Sequence, residues 1–334
     1  MERHAIITGG AGFIGSQLVD RLLGRPGWHV SVVDNFHPFY PREVKEANVA
    51  RHRSNPAFDL IEGDILDDGA LKKAFEQAKG RQTMVVHLAA LAGVRPSLAD
   101  PIGYHRVNVT GTLKLLEAAR HFRAAHFVQG SSSSVYGDHP AMPWKEDLTG
   151  LKPISPYAAT KLAAESFVQV YARLHGMDCT VLRFFTAYGP RQRPDLAIHG
   201  FFRKMIDGKP IQQFGDGGTQ RDYTYVGDVV DGICRAMDRP MARKPGQGAY
   251  EVFNLGNSEA VPLRVLIASI EEVSGRKAMI KKLPEQPGDV HHTLADISKA
   301  REQLGYAPQT TLAEGLGQFA RWFATVGPVG KAVG

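Results

Sequence analysis

Tyr157 and Lys161 stand four residues apart, just behind Ser155 and Pro156. Serine is a good helix N-cap and proline suits the first helical position, so residues 156–173 are predicted to form one helix. On it Tyr157 and Lys161 share a face, one turn apart. A phenol with an ordinary pKa of about 10 is a poor base. A fixed ammonium beside it favours the phenolate, so this pair can take a proton from a sugar hydroxyl near neutral pH. An ordinary amphipathic helix can carry the same two residues, so the surrounding elements must decide.

Those elements begin with an apolar run at 4–8, the loop Gly9-Gly10-Ala11-Gly12-Phe13-Ile14-Gly15 and a helical pattern at 13–23. Glycines at 9, 12 and 15 let the backbone approach a pyrophosphate, whose charge sits on the helix N-terminus. A second strand at 29–33 ends on Asp34. An acidic residue about 20 positions past such a loop accepts hydrogen bonds from an adenosine ribose diol. It also repels a 2′-phosphate, which predicts NAD rather than NADP; a turn or helix cap is the plainer use of Asp34. The aromatic, proline-rich stretch 36–42 suits a surface loop near the cofactor. A third strand at 58–62 precedes Asp64 and Ile65, expected near the adenine. A fourth at 83–87 precedes Leu88, Ala89 and Ala90, where small residues leave room for the cofactor ribose. A helix at 104–122 and a fifth strand at 126–129 follow. This alternation predicts an α/β fold, a Rossmann-type doubly wound parallel sheet occupying residues 1–182.

Ser131, Ser132, Ser133 and Ser134 follow the fifth strand, at the carboxyl edge where such sheets bind ligands. A sixth strand at 179–183 leads into residues 183–334, expected to form a smaller, mixed substrate lobe, with 225–256 returning to the nucleotide lobe. This lobe opens with a run holding Thr186, Arg191 and Arg193 and continues through Phe214 and Arg221 to Gly288-Asp289. Arginine is a bidentate donor for phosphate or carboxylate, although any one of these could equally be a solvated surface charge.

Composition narrows the partners. A chain of 334 residues with 43% hydrophobic and 22% charged residues is that of an ordinary globular protein with one large bilobed domain or two domains. The formal charge of +6 is scattered, which favours anionic small molecules over nucleic acid. Cys179 and Cys234 have no metal-type or redox spacing, and no signal peptide or membrane span is evident, so a cytoplasmic protein without a bound metal is expected.

Together the pieces resemble the extended short-chain dehydrogenase/reductases, and within them the nucleotide-sugar epimerases. The matching stretches are TGGAGFIG at 8–15, Asp34, Asp64-Ile65, HLAA at 87–90, SSSSVYG at 131–137, Tyr157 with Lys161, RFFTAYGPRQRP at 183–194 and QRDYTYV at 220–226. The resemblance implies that Tyr157 takes the sugar C4 hydroxyl proton, that Lys161 holds the nicotinamide ribose, and that Ser132 bridges the sugar O4 and Tyr157. It also implies retained NAD and a homodimer built on the helices at 104–122 and 157–173. Dehydratases of this group carry an Asp-Glu pair after the catalytic hydroxyl residue, and decarboxylases a Glu, where this chain has Ser133 and Ser134. Thr186 with Arg193, the stretch Asp34-Asn35-Phe36, and Gly93-Val94-Arg95 resemble the UDP-glucuronate 4-epimerases. In that reading Ser133, Thr186 and Arg193 meet the C5 carboxylate. UDP-glucose, its N-acetyl relative, decarboxylation and an idle NAD-binding regulator are the alternatives. Gln286 stands where related galactose epimerases place an arginine on the diphosphate, which leaves Arg221 and Arg191 as candidates for that role.

Overall fold

The computed structural model describes residues 2–239, 248–284 and 290–326. Its strands are β1 (Arg3–Thr8), β2 (Trp28–Asp34), β3 (Phe58–Glu62), β4 (Gln82–His87), β5 (His126–Ser132), β6 (Cys179–Phe184), β7 (Thr186–Tyr188), β8 (Ile211–Phe214), β9 (Gln220–Tyr225), β10 (Tyr250–Leu255), β11 (Ala260–Pro262) and β12 (Ile280–Leu283). Seven form one parallel sheet in the order β10-β6-β5-β4-β1-β2-β3. The order reverses beside β1, so the crevice at the carboxyl ends of β1 and β4 is the place for a ligand.

The strands are buried on both faces, as their near-continuous apolar runs require. Alternation along β1 sends Ala5 and Ile7 into one core layer and Ile6 into the other. The first layer is covered by the helices Phe13–Leu23 and Val226–Asp238, the second by Asp68–Gln77, Gly111–His121 and Pro156–His175. A third core joins the helices Ala197–Ile206, Leu263–Ser274 and Leu312–Val326 around Phe202, Leu266 and Phe319. It carries the small sheets β11-β9-β7 and β12-β8 and forms the second lobe.

The structure departs from the sequence reading in places that matter to the site. β5 runs on to Ser132, so two of the four serines are strand residues fixed by pairing with β6. The helix expected at 104–122 begins at Pro101, capped by Asp100, and holds a π-helical turn over Arg106–Thr110. The helix Val226–Asp238 and β10 lie with the nucleotide lobe, β10 pairing with β6. Ile297, Ala300, Leu304 and Tyr306 also pack into that lobe's core, beyond the return expected at 225–256.

Candidate active site

Tyr157 and Lys161 sit where the helix Pro156–His175 meets the end of β5. Ser155 caps that helix by accepting from Ala158 N at 3.2 Å. Lys161 is buried, and its Nζ donates to Gly130 O at 2.8 Å. Burial pushes the Lys161 ammonium down to about 8, while the Glu165 carboxylate pulls the other way. Tyr157 lines the cleft beside Ser132 and meets Tyr104 edge-on at 6.3 Å. Packing around the phenol raises the Tyr157 pKa, while Ser132 and the Arg193 guanidinium pull it down. The Lys161 ammonium is engaged at the Gly130 carbonyl, and the Arg193 charge reaches the phenol from the second lobe.

The glycine loop lies across the cleft. Gly9 has φ +70°, and a Cβ there would stand 2.8 Å from Ala89 N. A Cβ on Gly15 would meet Gly9 O at 2.3 Å. Gly12 opens the helix Phe13–Leu23 without a side-chain cap, leaving its first N–H groups for a ligand anion. Asp34 accepts from Ala11 N at 3.1 Å and Phe36 N at 2.9 Å, and so ties the loop to the end of β2. Asn35 donates to Asp64 at 2.8 Å, and Asp64 also accepts from Leu66 N at 2.9 Å. Gly9, Gly12, Phe13, Ile14 and Gly15 line one cleft with Asp34, Asn35, Asp64, Ile65 and Leu88-Ala89-Ala90. Ser132, Tyr157 and Lys161 line the same cleft. A bare-backbone cradle beside a helix start, with an acidic residue at the neighbouring strand end, fits a dinucleotide.

Sequence reasoning missed a buried polar chain that locks the cleft together. His87 joins Thr8 at 2.7 Å and Thr112 at 2.9 Å, and Thr112 donates to Asn108 O at 2.6 Å. The Asn108 side chain, inside the π turn, donates to Leu91 O at 2.9 Å and Thr160 Oγ1 at 3.1 Å. It also accepts from Leu91 N at 2.9 Å. Thr160 then donates to Tyr157 O at 2.8 Å. Burial, with the Lys161 charge in second place, pushes His87 down to about 3, so this imidazole is neutral. The one signal in the sequence was an asparagine set between Val107 and Val109. A second missed network lies under Lys161. Glu165 accepts from Ser131 Oγ and pairs with Arg183 Nη2 at 2.7 Å. Arg183 also donates to Tyr136 Oη at 3.0 Å. Glu165 was detectable as a carboxylate one turn past Lys161 on the same face.

The expected substrate residues divide. Thr186 and Arg193 line the cleft with Phe184, Phe185, Ala187 and Leu196. Arg193 stacks on Phe39 at 5.0 Å and pairs with Asp195 through Nε–Oδ1 at 3.0 Å and Nη2–Oδ2 at 2.7 Å. Ser134 contacts Ser132, its N donating to Ser132 Oγ at 3.1 Å, and Ser133 is buried next to it; neither lines the cleft. Arg95 stacks on Phe214 at 4.5 Å, bringing two expected residues together across the lobes. Arg191, at φ +66°, pairs instead with Asp20 at 2.8 Å on the far side of the first helix. That contact anchors the 190s loop and draws the guanidinium away from the cleft. Arg221 Nη1 donates to the carbonyls of Gln220 and His291. Asp289 and Gln286 lie outside the described residues. Among the described residues no cluster of His, Cys, Asp and Glu could hold a metal ion. Nor is any helix there long and apolar enough to cross a membrane.

A switch-point cleft with a glycine loop on one wall and a Ser–Tyr–Lys constellation on the other defines an extended short-chain dehydrogenase/reductase. Residues 6–319 match the family described as GDP-mannose 4,6 dehydratase, and the chain belongs to that family. It is 41% identical over 330 residues to UDP-glucuronate 4-epimerase 3 of Arabidopsis thaliana, covering 95% of this chain and 76% of that one. It is 39% identical over 321 residues to UDP-glucuronate 4-epimerase of Thermodesulfobacterium geofontis, covering 96% and 95%. The crystal structure of UDP-glucuronic acid 4-epimerase from Bacillus cereus, in complex with UDP-glucuronic acid and NAD, superposes with a TM-score of 0.88. That pair is 37% identical and covers 97% of this chain and 99% of the other.

Proposed function

We propose that the protein is an NAD-dependent UDP-glucuronate 4-epimerase. The observation that carries this reading is that Ser132, Tyr157 and Lys161 line the same cleft as the glycine loop, Thr186 and Arg193. Bound NAD supplies a hydride acceptor at C4 that later returns the hydride. Ser132 holds the sugar O4 and Tyr157 takes its proton, then gives it back after the 4-keto sugar has turned over. Lys161 holds the nicotinamide ribose. Ser133, buried behind the cleft, takes no part; Thr186 and Arg193, which line it, receive the C5 carboxylate. Holding it matters, because C4 oxidation makes a β-keto acid whose carboxylate is lost when it rotates freely. Ser133 and Ser134 supply no acid at C5 or C6, which favours epimerisation over the dehydration in the family's description. Asp34 selects NAD over NADP; tighter NADP binding in calorimetry would contradict that. Faster turnover of UDP-glucuronate than of UDP-glucose tests the sugar, and equal rates would contradict the carboxylate reading.

We further propose a homodimer. Leu98, Ile102, Val170 and Leu174 are exposed on the packed helices Val94–Ala99, Pro101–His105 and Pro156–His175, with Ile102 78% and Leu174 70% accessible. Such an apolar face suits a two-fold partner. Light scattering is expected to give twice the chain mass, and the double variant Ile102→Lys, Leu174→Lys half of that. Buried, unpaired Cys179 and Cys234 suit the reducing cytoplasm, where nucleotide sugars and NAD are available.

A further inference from the structure

Among the described residues Arg193 is the one guanidinium lining the cleft, and two neighbours fix its plane. Phe39, from the loop after β2, lies against its face at 5.0 Å. Asp195, two residues on, takes its Nε–Nη2 side in a bidentate pair at 3.0 and 2.7 Å. A guanidinium has five N–H donors in a rigid fork, so a carboxylate on the Nε–Nη2 side leaves the Nη1–Nη2 edge for a second one. Asp195 reaches out of the cleft: its side chain is 37% accessible against 17% for Arg193. Water therefore screens the Asp195 charge more than that of the arginine it orients.

We propose that Asp195 is the positioning residue for uronate specificity: with Phe39 it turns the Nη1–Nη2 edge of Arg193 toward the sugar carboxylate. This rests on the uronate reading of the site. A bidentate grip on that edge holds the carboxylate against rotation while C4 is a ketone. Without the grip, the C5–C6 bond breaks, C6 leaves as CO2, and its electron pair passes to the C4 ketone as an enolate that takes up a proton.

The opposite role is also chemically reasonable, and it has the opposite sign. If Asp195 merely competes with substrate for Arg193, removing its charge tightens UDP-glucuronate binding. The test uses the NAD-loaded enzyme with UDP-glucuronate and UDP-glucose, comparing wild type, Asp195→Asn and Asp195→Glu. The expected result for Asp195→Asn is a KM for UDP-glucuronate raised roughly tenfold, with a smaller fall in kcat. CO2 released per turnover rises, the KM for UDP-glucose stays put, and Asp195→Glu restores part of the loss. A lower or unchanged KM for UDP-glucuronate in Asp195→Asn overturns the positioning role while leaving the uronate reading intact. Wild-type enzyme that does not distinguish the two sugars overturns the uronate reading and this inference with it.

Discussion

A phenol is useful as a base only if something offsets the cost of burying its anion, and at Tyr157 two groups do so. Ser132, at the end of β5, and Arg193, from the second lobe, favour the anion, while packing pushes the other way. Tyr157→Phe keeps the packing and removes the acid–base group. Its kcat is expected to fall about 10³-fold, with UDP-glucuronate binding by calorimetry little changed. The Lys161 ammonium, with its pKa near 8, sets a second expectation. Above that value the charge is lost, so activity should decline on the alkaline side of pH 8. A pH–rate profile checks this, and a flat profile to pH 10 would contradict a required Lys161 charge that is lost near pH 8. The residue types here were legible in the sequence, because a tyrosine and a lysine one turn apart follow from spacing alone. What spacing could not give was the charge of Arg193 near the phenol, since Arg193 arrives from a loop 32 residues past Lys161 in the chain.

At the scale of elements, the site depends on how closely the β1 turn, the loop after β4 and the helix Pro156–His175 approach. Gly9 shows this most directly. Gly9→Ala forces a side chain into φ +70° and 2.8 Å from Ala89 N. The strain should cost about 1–3 kcal/mol, and NAD co-purifying with the protein should drop sharply. Absorbance of the extracted cofactor and a urea melt measure both. The Glu165–Arg183 pair is buried on both sides, at 3% and 6% side-chain exposure. Glu165→Gln leaves Arg183 buried without its partner and should cost about 3–5 kcal/mol in the same melt. It also removes the charge that holds Lys161 up, so the alkaline limb should move to lower pH. The glycine loop and strand order were legible because strand, turn and helix each leave a short-range pattern. The π turn around Asn108 was not, since its cause is the long-range bond to Leu91 rather than local preference.

Across the whole molecule, four buried histidines tie the fold to pH. His4, His126 and His199 are pushed down to about 4 and His87 to about 3, in each case chiefly by burial. They stay neutral when folded, whereas in the unfolded chain each takes up a proton below about 6.5. The unfolded state therefore binds more protons between pH 6.5 and about 4, and stability is lost as pH falls through that window. Four such groups amount to up to about 5 kcal/mol per pH unit, against a typical total of about 5–15 kcal/mol. The protein is expected to unfold before pH 4 in an acid titration followed by circular dichroism, and a folded state persisting at pH 3 would contradict this. The sheet was legible at this scale, but the path of the chain between lobes was not. Residues 297–306 return to the nucleotide-lobe core through scattered apolar positions that carry no lobe-specific pattern.

The central claim, that hydride leaves C4 and comes back to the same carbon, is open to one direct measurement. UDP-glucuronate labelled with deuterium at C4 is incubated with the NAD-bound protein in ordinary water, and the products are followed by NMR. The account predicts the C4 epimer, UDP-galacturonate, with the deuterium still on C4. An epimer whose label has washed out into solvent, or a pentose product with no epimer, would contradict it.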